Sequence, residues 1–441
     1  MKRILLSLGL VAALLFTLSC ERKGGESASG DGDTGPIRVG VYGDLSGQTS
    51  SFGQSTKNGV ELAADEINRA GGINGRKIEL IVEDDQGRPE QAATVATKLV
   101  SQNRVHALLG EVASSNSLAA APKAQAAKVP MITPSSTNPK VTQVGDYVFR
   151  VCFIDPFQGE VMAKFAANNL KAKTAAILLD VNSDYSRGLA QFFEQNFTRL
   201  GGSVIQTQSY TQNDRDFSSQ LTAIRSANPD VIFVPGYYTQ VGVIAKQSKQ
   251  LGIKAPLLGG DGWDSPQLWE LGGDALNGDY MANHSSMDDP NPVIQNFVST
   301  YKARFNVMPD ALAALAYDAM KVLADAIRRA GSTDGQKLRD AIAQTVNFAG
   351  VTGTITINAE RNAVKPAVVL ELQNGKYVYN TTIQPDAPGG APAASPGASA
   401  SPSGSPAGSP ASSPASSPAS SPAASPAATG ANQGGGVNTN K

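Results

Sequence analysis

A regular alternation of short apolar runs with longer amphipathic segments constrains the fold of this chain most strongly. Apolar runs of strand length alternate with segments whose apolar residues recur at helical spacing, which is typical of a parallel sheet with helices on both faces. In the first part of the chain the pattern predicts strands at 37–42, 77–83, 107–112 and 129–133, and helices at 55–70 and 90–102.

The same alternation restarts after residue 154 and predicts a second unit of the same kind. Its predicted strands are 175–179, 203–209, 231–234 and 256–259, and its predicted helices are 185–200, 217–227 and 240–251. Further helices are predicted at 293–305, 309–330 and 335–345, and closing strands at 353–357 and 367–373. The predicted fold class is therefore α/β, with two doubly wound units in series.

Two clusters of hydroxyl side chains follow successive strands of the first unit. Ser114, Ser115 and Ser117 come after the strand at 107–112, and Pro134-Ser135-Ser136-Thr137 follows the strand at 129–133. Strand ends and helix N-termini of an α/β sheet carry free N–H groups and a positive dipole end, so these hydroxyls could hold a small carboxylate. The alternative is that they only cap helices.

Both termini differ in composition from this core. Lys2 and Arg3 precede an uncharged, mostly apolar run that ends at Cys20, which predicts a signal peptide over 1–19 and lipidation of Cys20. The alternative is a signal peptide that merely contains a cysteine. Residues 20–36 predict a flexible tether, and the Ala/Ser/Pro/Gly segment 386–441 predicts a disordered tail of undetermined role.

The charge balance and the absent motifs exclude several function classes. Lys and Arg number 37 against 38 Asp and Glu, so no basic field would attract nucleic acid. His106 and His284 are the only histidines, and no nucleophile-elbow, phosphate-loop or dinucleotide motif occurs, so neither an enzyme nor a cofactor is expected. We interpret Asp84-Asp85 as capping the next helix rather than binding a metal ion, and Cys152 as a small core residue.

Six short motifs together resemble the type I periplasmic binding proteins of ABC importers, most closely the leucine/isoleucine/valine-binding branch. They are Leu45-Ser46-Gly47, Ala70-Gly71-Gly72-Ile73-Asn74-Gly75, Asp84-Asp85, Ile132-Thr133-Pro134, Asp216-Phe217 and Gly260-Asp261-Gly262-Trp263. The resemblance implies two lobes that close on a ligand about three hinge crossovers, near residues 153–156, 282–286 and 364–367. Lobe 1 would comprise 37–155 and 285–365, and lobe 2 would comprise 156–284 and 366–385.

The resemblance also implies a set of ligand-binding residues in the cleft between the lobes. Ser114 matches a serine that holds the ligand carboxylate, and Asp261 matches an acid that pairs with the ammonium group. The remaining matches are Ser135 and Thr137 for polar contacts, Tyr185 and Tyr237 for the wall of the second lobe, and Phe52 for the cap of the side-chain pocket.

Four positions depart from the family pattern. Gly87 and Ala113 stand where better-known members carry a disulfide, so some rigidity is lost there. Trp263 is expected to reshape the pocket beside Asp261, and Glu111 could turn the site toward a cationic or polar ligand.

The predicted function is capture of an amino acid, branched-chain or otherwise aliphatic, by a monomeric lipoprotein of the cell envelope. The expected partner is an ABC permease with its ATPase subunits, and the membrane is reached only through the lipid anchor. One alternative is a sensor or carrier for amides or aromatic acids on the same fold. Another is an enzyme built on Asp84-Asp85 or Glu111, which predicts turnover of the bound molecule.

Overall fold

The computed structural model describes residues 35–385. The predicted signal peptide, the lipidation site at Cys20, most of the tether and the tail lie outside the described residues. None of the helices between residues 35 and 385 combines the length and the apolar character that crossing a membrane requires.

A five-stranded sheet, in which all strands are parallel, forms the first part of the structure, called lobe 1 here. Its strand order is β2-β1-β3-β4-β5. The strands are β1 (Ile37–Gly43), β2 (Ile78–Asp84), β3 (Ala107–Leu109), β4 (Met131–Thr133) and β5 (Val148–Arg150). Strand β1 is buried at all but one position, which explains why it is a continuous apolar run instead of an alternating one.

A seven-stranded mixed sheet forms the second part, called lobe 2. Its order is β14-β13-β10-β9-β8-β6-β7, with parallel pairing from β10 to β7 and antiparallel pairing at β13 and β14. The strands are β6 (Thr174–Asp180), β7 (Ser203–Tyr210), β8 (Val231–Phe233), β9 (Leu257–Gly259), β10 (Tyr280–Asn283), β13 (Ala367–Gln373) and β14 (Lys376–Ile383). A separate two-stranded hairpin pairs β11 (Phe348–Gly350) with β12 (Gly353–Ile355).

Helices cover the sheets, and the last long helices return to lobe 1. The helices are α1 (Ser50–Arg69), α2 (Pro89–Ser101), α3 (Ser114–Ala127), α4 (Lys140–Gln143), α5 (Asp155–Lys164), α6 (Asp184–Arg199), α7 (Ser218–Ala227), α8 (Tyr238–Gln250), α9 (Pro266–Gly272), α10 (Pro292–Phe305), α11 (Ala311–Ala330) and α12 (Gly335–Ala343). A π-helical turn, Phe165–Asn169, continues α5, and 3-10 turns cover Asp261–Trp263 and Gly273–Leu276. Helix α11 packs against α1 and α12, so its apolar face completes the core of lobe 1.

Local sequence signals fix the ends of α11, which borders the cleft. The Asp310 carboxylate accepts a hydrogen bond of 2.8 Å from the Ala313 amide and so caps the N-terminus. Gly331 ends the helix with a φ of +60°, a backbone conformation that glycine adopts without a steric penalty. The Asp310 cap holds the first turn of α11 at the boundary between the lobes.

The chain passes between the two sheets three times, as the family resemblance implies. It leaves lobe 1 between β5 and α5, returns between β10 and α10, and leaves again between β12 and β13. The predicted fold class of two doubly wound lobes with three crossovers is therefore confirmed.

Several predicted elements differ from the structure. The strands predicted at 107–112 and 129–133 are only three residues long: β3 ends early, where the chain turns into a loop that reaches the cleft, and β4 begins two residues later than predicted. The strand predicted at 353–357 is confined to the small hairpin, and β5, β10 and β14 were not predicted. The prediction for Cys152 is confirmed, since its thiol lies in the lobe 1 core and burial raises its pKa to about 12.

Candidate functional site

The loops at the carboxyl ends of the lobe 1 strands meet lobe 2 around a small cavity. The cavity has a volume of about 10 Å³, which is room for about one water molecule. It is lined by Val112, Ser135, Thr137, Tyr185, Tyr237, Asp261, Gly262 and Leu312. Five of the eight predicted site residues therefore share one cavity, and its apolar walls, Val112 and Leu312, were not predicted.

Two hydroxyls of lobe 1 lie at this cavity without an internal partner. Ser135 is 3 % exposed and Thr137 is 1 % exposed, and neither hydroxyl has a hydrogen bond within the described part of the chain. A buried polar group that lacks a partner costs about 1–3 kcal/mol, so these hydroxyls are placed to bond to a ligand.

The neighbouring serines hold the loops together. The Ser117 and Ser136 hydroxyls lie 2.7 Å apart, and Ser136 also donates to the carbonyl of Glu111 at 2.8 Å. Ser114 accepts a hydrogen bond from the Asn138 amide at 3.3 Å and does not line the cavity. No side chain caps α3, whose N-cap is Ala113, so the capping interpretation of the first cluster is wrong.

Asp261 brings a carboxylate to the cavity from lobe 2, at the start of a 3-10 turn after β9. Its Oδ1 accepts a hydrogen bond from Gln158 Nε2 at 2.8 Å, and its Oδ2 lies 3.1 Å from His284 Nε2. Burial lowers the pKa of His284, so the neutral ring donates its Nε2 proton to the carboxylate. The His284 ring also stacks on Phe153 with the centroids 3.8 Å apart. Residues of the first two crossovers therefore orient Asp261.

Sequence reasoning missed a second carboxylate, that of Asp155, at the first residue of α5. Asp155 is fully buried, and its carboxyl group faces the Thr137 hydroxyl, although no hydrogen bond of standard geometry joins the two. Burial raises its pKa to about 8, and the nearby charge of Asp261 adds to the rise. Its amide donates to the carbonyl of Thr137 at 3.0 Å, which places it directly behind the cavity wall. An acid immediately after an apolar run, inside a predicted crossover, was the available signal.

Aromatic side chains close the lobe 2 side of the cavity. The rings of Tyr185 and Tyr237 stack with centroids 5.3 Å apart and an interplanar angle of 5°. The Tyr185 hydroxyl accepts a hydrogen bond from the Gly262 amide at 3.2 Å, which fixes the ring against the turn that carries Asp261. Phe52 of lobe 1 does not line the cavity but meets Tyr237 and Tyr238 edge-on, with centroids 5.6 and 5.0 Å away.

Two predicted site features lie away from the cavity. The Trp263 indole donates to the carbonyl of Val234 at 3.0 Å and packs on Gly259, where a Cβ would lie 2.0 Å from the indole ring. Trp263 therefore belongs to the lobe 2 core. The Glu111 carboxylate accepts hydrogen bonds from the amides of Asp44, at 3.2 Å, and Ala113. Because both oxygens bind the backbone of neighbouring loops, Glu111 is not available to select a cationic ligand.

The Asp84-Asp85 pair organises a turn and does not cap α2, so the capping prediction is wrong. Asp84 accepts hydrogen bonds from the Leu45 amide at 2.9 Å and from the Ser46 hydroxyl at 2.5 Å. Asp85 accepts one from the Gly87 amide at 2.9 Å. Within residues 35–385, no group of three His, Cys, Asp or Glu side chains could hold a metal ion.

Direct contacts hold the two lobes in a closed arrangement. The Ser115 hydroxyl donates to the Asp184 carboxylate and accepts from its amide, both at 3.0 Å. Asn138 Nδ2 donates to the carbonyl of Asp184 at 2.7 Å. The N-termini of α3 and α6 therefore meet across the cleft through one serine.

Comparisons with known proteins agree with this architecture. A family model described as periplasmic binding protein matches residues 36–376. A relative from Brucella melitensis, Leu/Ile/Val-binding protein homolog 3, is 31 % identical over 348 residues, which cover 78 % of this chain and 93 % of that protein.

Two crystal structures are similar to the chain over nearly their whole length. A leucine-binding protein from Thermotoga maritima is 42 % identical with a TM-score of 0.76, covering 79 % of this chain and 99 % of that one. A branched-chain amino acid transporter substrate-binding protein from Streptococcus pneumoniae, in complex with isoleucine, is 33 % identical with a TM-score of 0.76, covering 79 % and 100 %.

Proposed function

The chain belongs to the periplasmic binding protein family, in its leucine/isoleucine/valine-binding branch, and from that premise we propose that it captures a branched-chain or other aliphatic α-amino acid for an ABC importer. The members of this family are substrate-binding proteins that act outside the cytoplasm. The ligand would bind between separated lobes, at the residues that line the interlobe cavity, and be enclosed as the lobes close around it.

The polar complement of the cavity carries this proposal. A zwitterion leaves water only if donors meet its carboxylate and acceptors meet its ammonium group. Ser135 and Thr137 offer two buried hydroxyls without internal partners, and Asp261 offers a carboxylate from the opposite lobe. Because the two sets come from different lobes, a ligand that uses both favours the closed form.

The apolar lining supports an aliphatic side chain. Val112 and Leu312 line the cavity from lobe 1, and the stacked rings of Tyr185 and Tyr237 line it from lobe 2. Glu111, the acid that could have paired with a cationic side chain, is bound to backbone amides instead. A methyl-bearing side chain gains about 25 cal/mol for each Å² that such walls remove from water.

Membrane attachment through a lipid on Cys20 and delivery to a permease with ATPase subunits complete the proposal. The apolar run that ends at Cys20 supports the anchor. Intact-mass measurement of the protein purified from membranes tests it. Cleavage before Cys20 with an added diacylglyceryl mass is expected, and Cys20→Ala should release the protein in soluble form.

A thermal-shift and calorimetric screen of the purified chain, freed of carried-over ligand by refolding, tests the ligand class. The panel contains all common amino acids, small amides and aromatic acids. A ligand at a hundred times its Kd should stabilise the fold by about 2.7 kcal/mol. We expect shifts with leucine, isoleucine or valine and recovery of the ligand unchanged.

The rival functions give different outcomes in the same screen. Shifts only with amides or aromatic acids would support a sensor or carrier for those compounds and contradict the amino-acid assignment. Conversion of a bound compound would indicate an enzyme. No shift from folded, ligand-free protein would contradict the assignment of Ser135, Thr137 and Asp261 together.

A further inference from the structure

A second cavity lies on the hinge side of the interlobe boundary, and the function proposed above does not use it. It has a volume of about 410 Å³. Lobe 1 contributes Met308 to Ala311 at the start of α11, lobe 2 contributes Trp269 and Tyr377, and the second crossover contributes Ser285 and Ser286. The cavity is lined by lobe 1, by lobe 2 and by the second crossover. Its shape therefore depends on the closed arrangement of the lobes.

Two buried carboxylates, one from each lobe, line this cavity. Asp264 of lobe 2 accepts hydrogen bonds from the Ala311 amide at 2.8 Å and from Asn283 Nδ2 at 3.0 Å, both on its Oδ2. Asp310 of lobe 1 accepts one from the Ser55 hydroxyl at 2.5 Å and one from the Ala313 amide at 2.8 Å. Asp264 is 4 % exposed and Asp310 is 8 % exposed.

These carboxylates have no basic partner among residues 35–385. Neither forms an ion pair there, and Lys376, which lines the cavity, is solvent-exposed. Burial raises the pKa of Asp264 to about 6 and that of Asp310 to about 7, and the charge of Asp264 contributes to the rise at Asp310. A cation in the cavity would relieve both the desolvation and the repulsion.

The serines of the crossover supply an independent observation. Ser285 is 7 % exposed and Ser286 is 4 % exposed, and neither hydroxyl has a hydrogen bond within the described chain. Both residues line the same cavity as the carboxylates. Buried hydroxyls without partners are uncommon in folded proteins, and here they lie where a bound molecule could satisfy them.

From this arrangement we propose that the hinge-side cavity is a second binding site, for a small organic ammonium ion. Its ammonium group bonds to Asp264 Oδ1, the oxygen that accepts no internal hydrogen bond, and to the hydroxyls of Ser285 and Ser286. Its apolar body packs on Trp269 and Tyr377, whose rings meet edge-on with centroids 6.2 Å apart.

The lining favours an organic cation over a metal ion or an anion. The aromatic rings of Trp269 and Tyr377 offer apolar surface to the body of an organic cation, which a bare metal ion could not use. A metal ion such as Mg²⁺ or Ca²⁺ needs several oxygen ligands in a compact shell, at distances of about 2.0–2.6 Å. The cavity is instead roomy and largely apolar, with Met287, Met308 and Leu370 in its walls. An anion would be repelled by the two carboxylates.

Titration of the full chain with n-butylammonium chloride tests the proposal. The sequence contains two tryptophans, Trp263 in the lobe 2 core and Trp269 in the cavity, so Trp263→Phe leaves Trp269 as the only reporter. If that variant does not fold, the wild-type chain serves, because Trp263 is buried away from the cavity. Sodium chloride at equal concentration controls for ionic strength, and 1-butanol is the neutral analogue.

We expect a saturable change in tryptophan emission with n-butylammonium and at least a tenfold weaker response with 1-butanol. Asp264→Asn should raise the Kd for n-butylammonium at least tenfold, because the asparagine oxygen still accepts from the Ala311 amide while the charge is lost. The exposed Asp274→Asn is the matched control and should titrate like the wild type. The response should persist in Asp261→Asn, which excludes binding in the amino-acid cleft.

Four results would overturn the proposal. They are the absence of a saturable response from folded protein, an equal response to 1-butanol, an unchanged Kd in Asp264→Asn, and loss of the response in Asp261→Asn. Because the amino-acid screen uses a different ligand and a different cavity, failure here leaves the proposed function standing.

Discussion

Replacing Asp261 by asparagine is the sharpest test of how the cleft holds a ligand. The two side chains have nearly the same shape, and His284 can donate to the asparagine oxygen as it does to Oδ2 of the carboxylate. Gln158 now donates to Oδ1, and its own Oε1 has no hydrogen bond in the described chain. Its amide can therefore rotate and accept from the asparagine NH₂ group, so we expect Asp261→Asn to keep the fold and lose only the charge.

The magnitude follows from the burial of the carboxylate. Asp261 is 3 % exposed, so its pairing with a ligand ammonium takes place out of water. Removing one member of a buried charge pair costs about 2–5 kcal/mol, which corresponds to about a 30-fold to 5,000-fold rise in Kd. Pairs at the protein surface are worth about 0–1 kcal/mol, so the measurement distinguishes the two environments.

Isothermal titration calorimetry with leucine and with 4-methyl-2-oxopentanoate measures the pairing directly. The oxo acid lacks the ammonium group, so Asp261→Asn should weaken leucine strongly and leave the oxo acid unchanged or tighter. The four affinities form a double-mutant cycle whose coupling energy isolates the contact. A leucine Kd within threefold of the wild type, in folded protein, would refute the assignment of Asp261. The exposed Asp274→Asn controls for a general effect of lost negative charge.

Three further predictions concern the supports of the cleft. His284→Phe should keep the stack on Phe153 but remove the hydrogen bond to the Asp261 carboxylate. We expect the Kd for leucine, measured by calorimetry, to rise about tenfold, because a hydrogen bond to a charged group is lost. Phe52→Ala removes the edge contact with Tyr237, so small-angle scattering should show the unliganded protein shifted toward an open form; an unchanged radius of gyration would contradict this. Because the pKa of Asp155 is about 8 in the folded protein and about 3.9 in an unfolded chain, the folded form binds the extra proton between these values. This carboxyl therefore makes stability fall by about 1.4 kcal/mol per pH unit as pH rises from 4 to 8, and urea titrations of Asp155→Asn should show a weaker dependence than the wild type.

The sequence predicted the parallel part of both sheets because buried parallel strands are continuous apolar runs. Strand β14 was missed because it lies at a sheet edge and six of its eight residues are polar or tyrosine, with most positions exposed or half-buried. Strand β5 was missed because its three residues belong to an apolar stretch that continues without a break into the first crossover. Where a strand ends and how deeply it is buried depend on its neighbours in the folded sheet. A local sequence pattern does not contain this information.

Some residues of the candidate site could likewise be predicted from the sequence, and others could not. Ser135 and Thr137 follow a strand end, where topology alone brings side chains to the cleft, so their placement could be predicted. Gln158 lies 103 positions before Asp261, and its contact depends on how α5 packs beside the turn after β9. His284 reaches the same carboxylate from the second crossover. No local pattern marks such contacts, because each joins separate crossings of the chain between the lobes.

Closure has a cost that the ligand must offset. In the closed arrangement Ser135 and Thr137 line the cavity with buried hydroxyls that form no internal hydrogen bond of standard geometry. Each such group opposes closure by about 1–3 kcal/mol, since water would satisfy it in the open form. A zwitterion supplies an ammonium group and a carboxylate to these atoms at once and so removes the opposing terms. Because a ligand shifts a conformational equilibrium only by its differential affinity for the two states, these unsatisfied groups make closure depend on the ligand. The double substitution Ser135→Ala and Thr137→Val should therefore increase the closed fraction of the empty protein, which small-angle scattering can measure. The same substitution should weaken leucine binding, which calorimetry can measure.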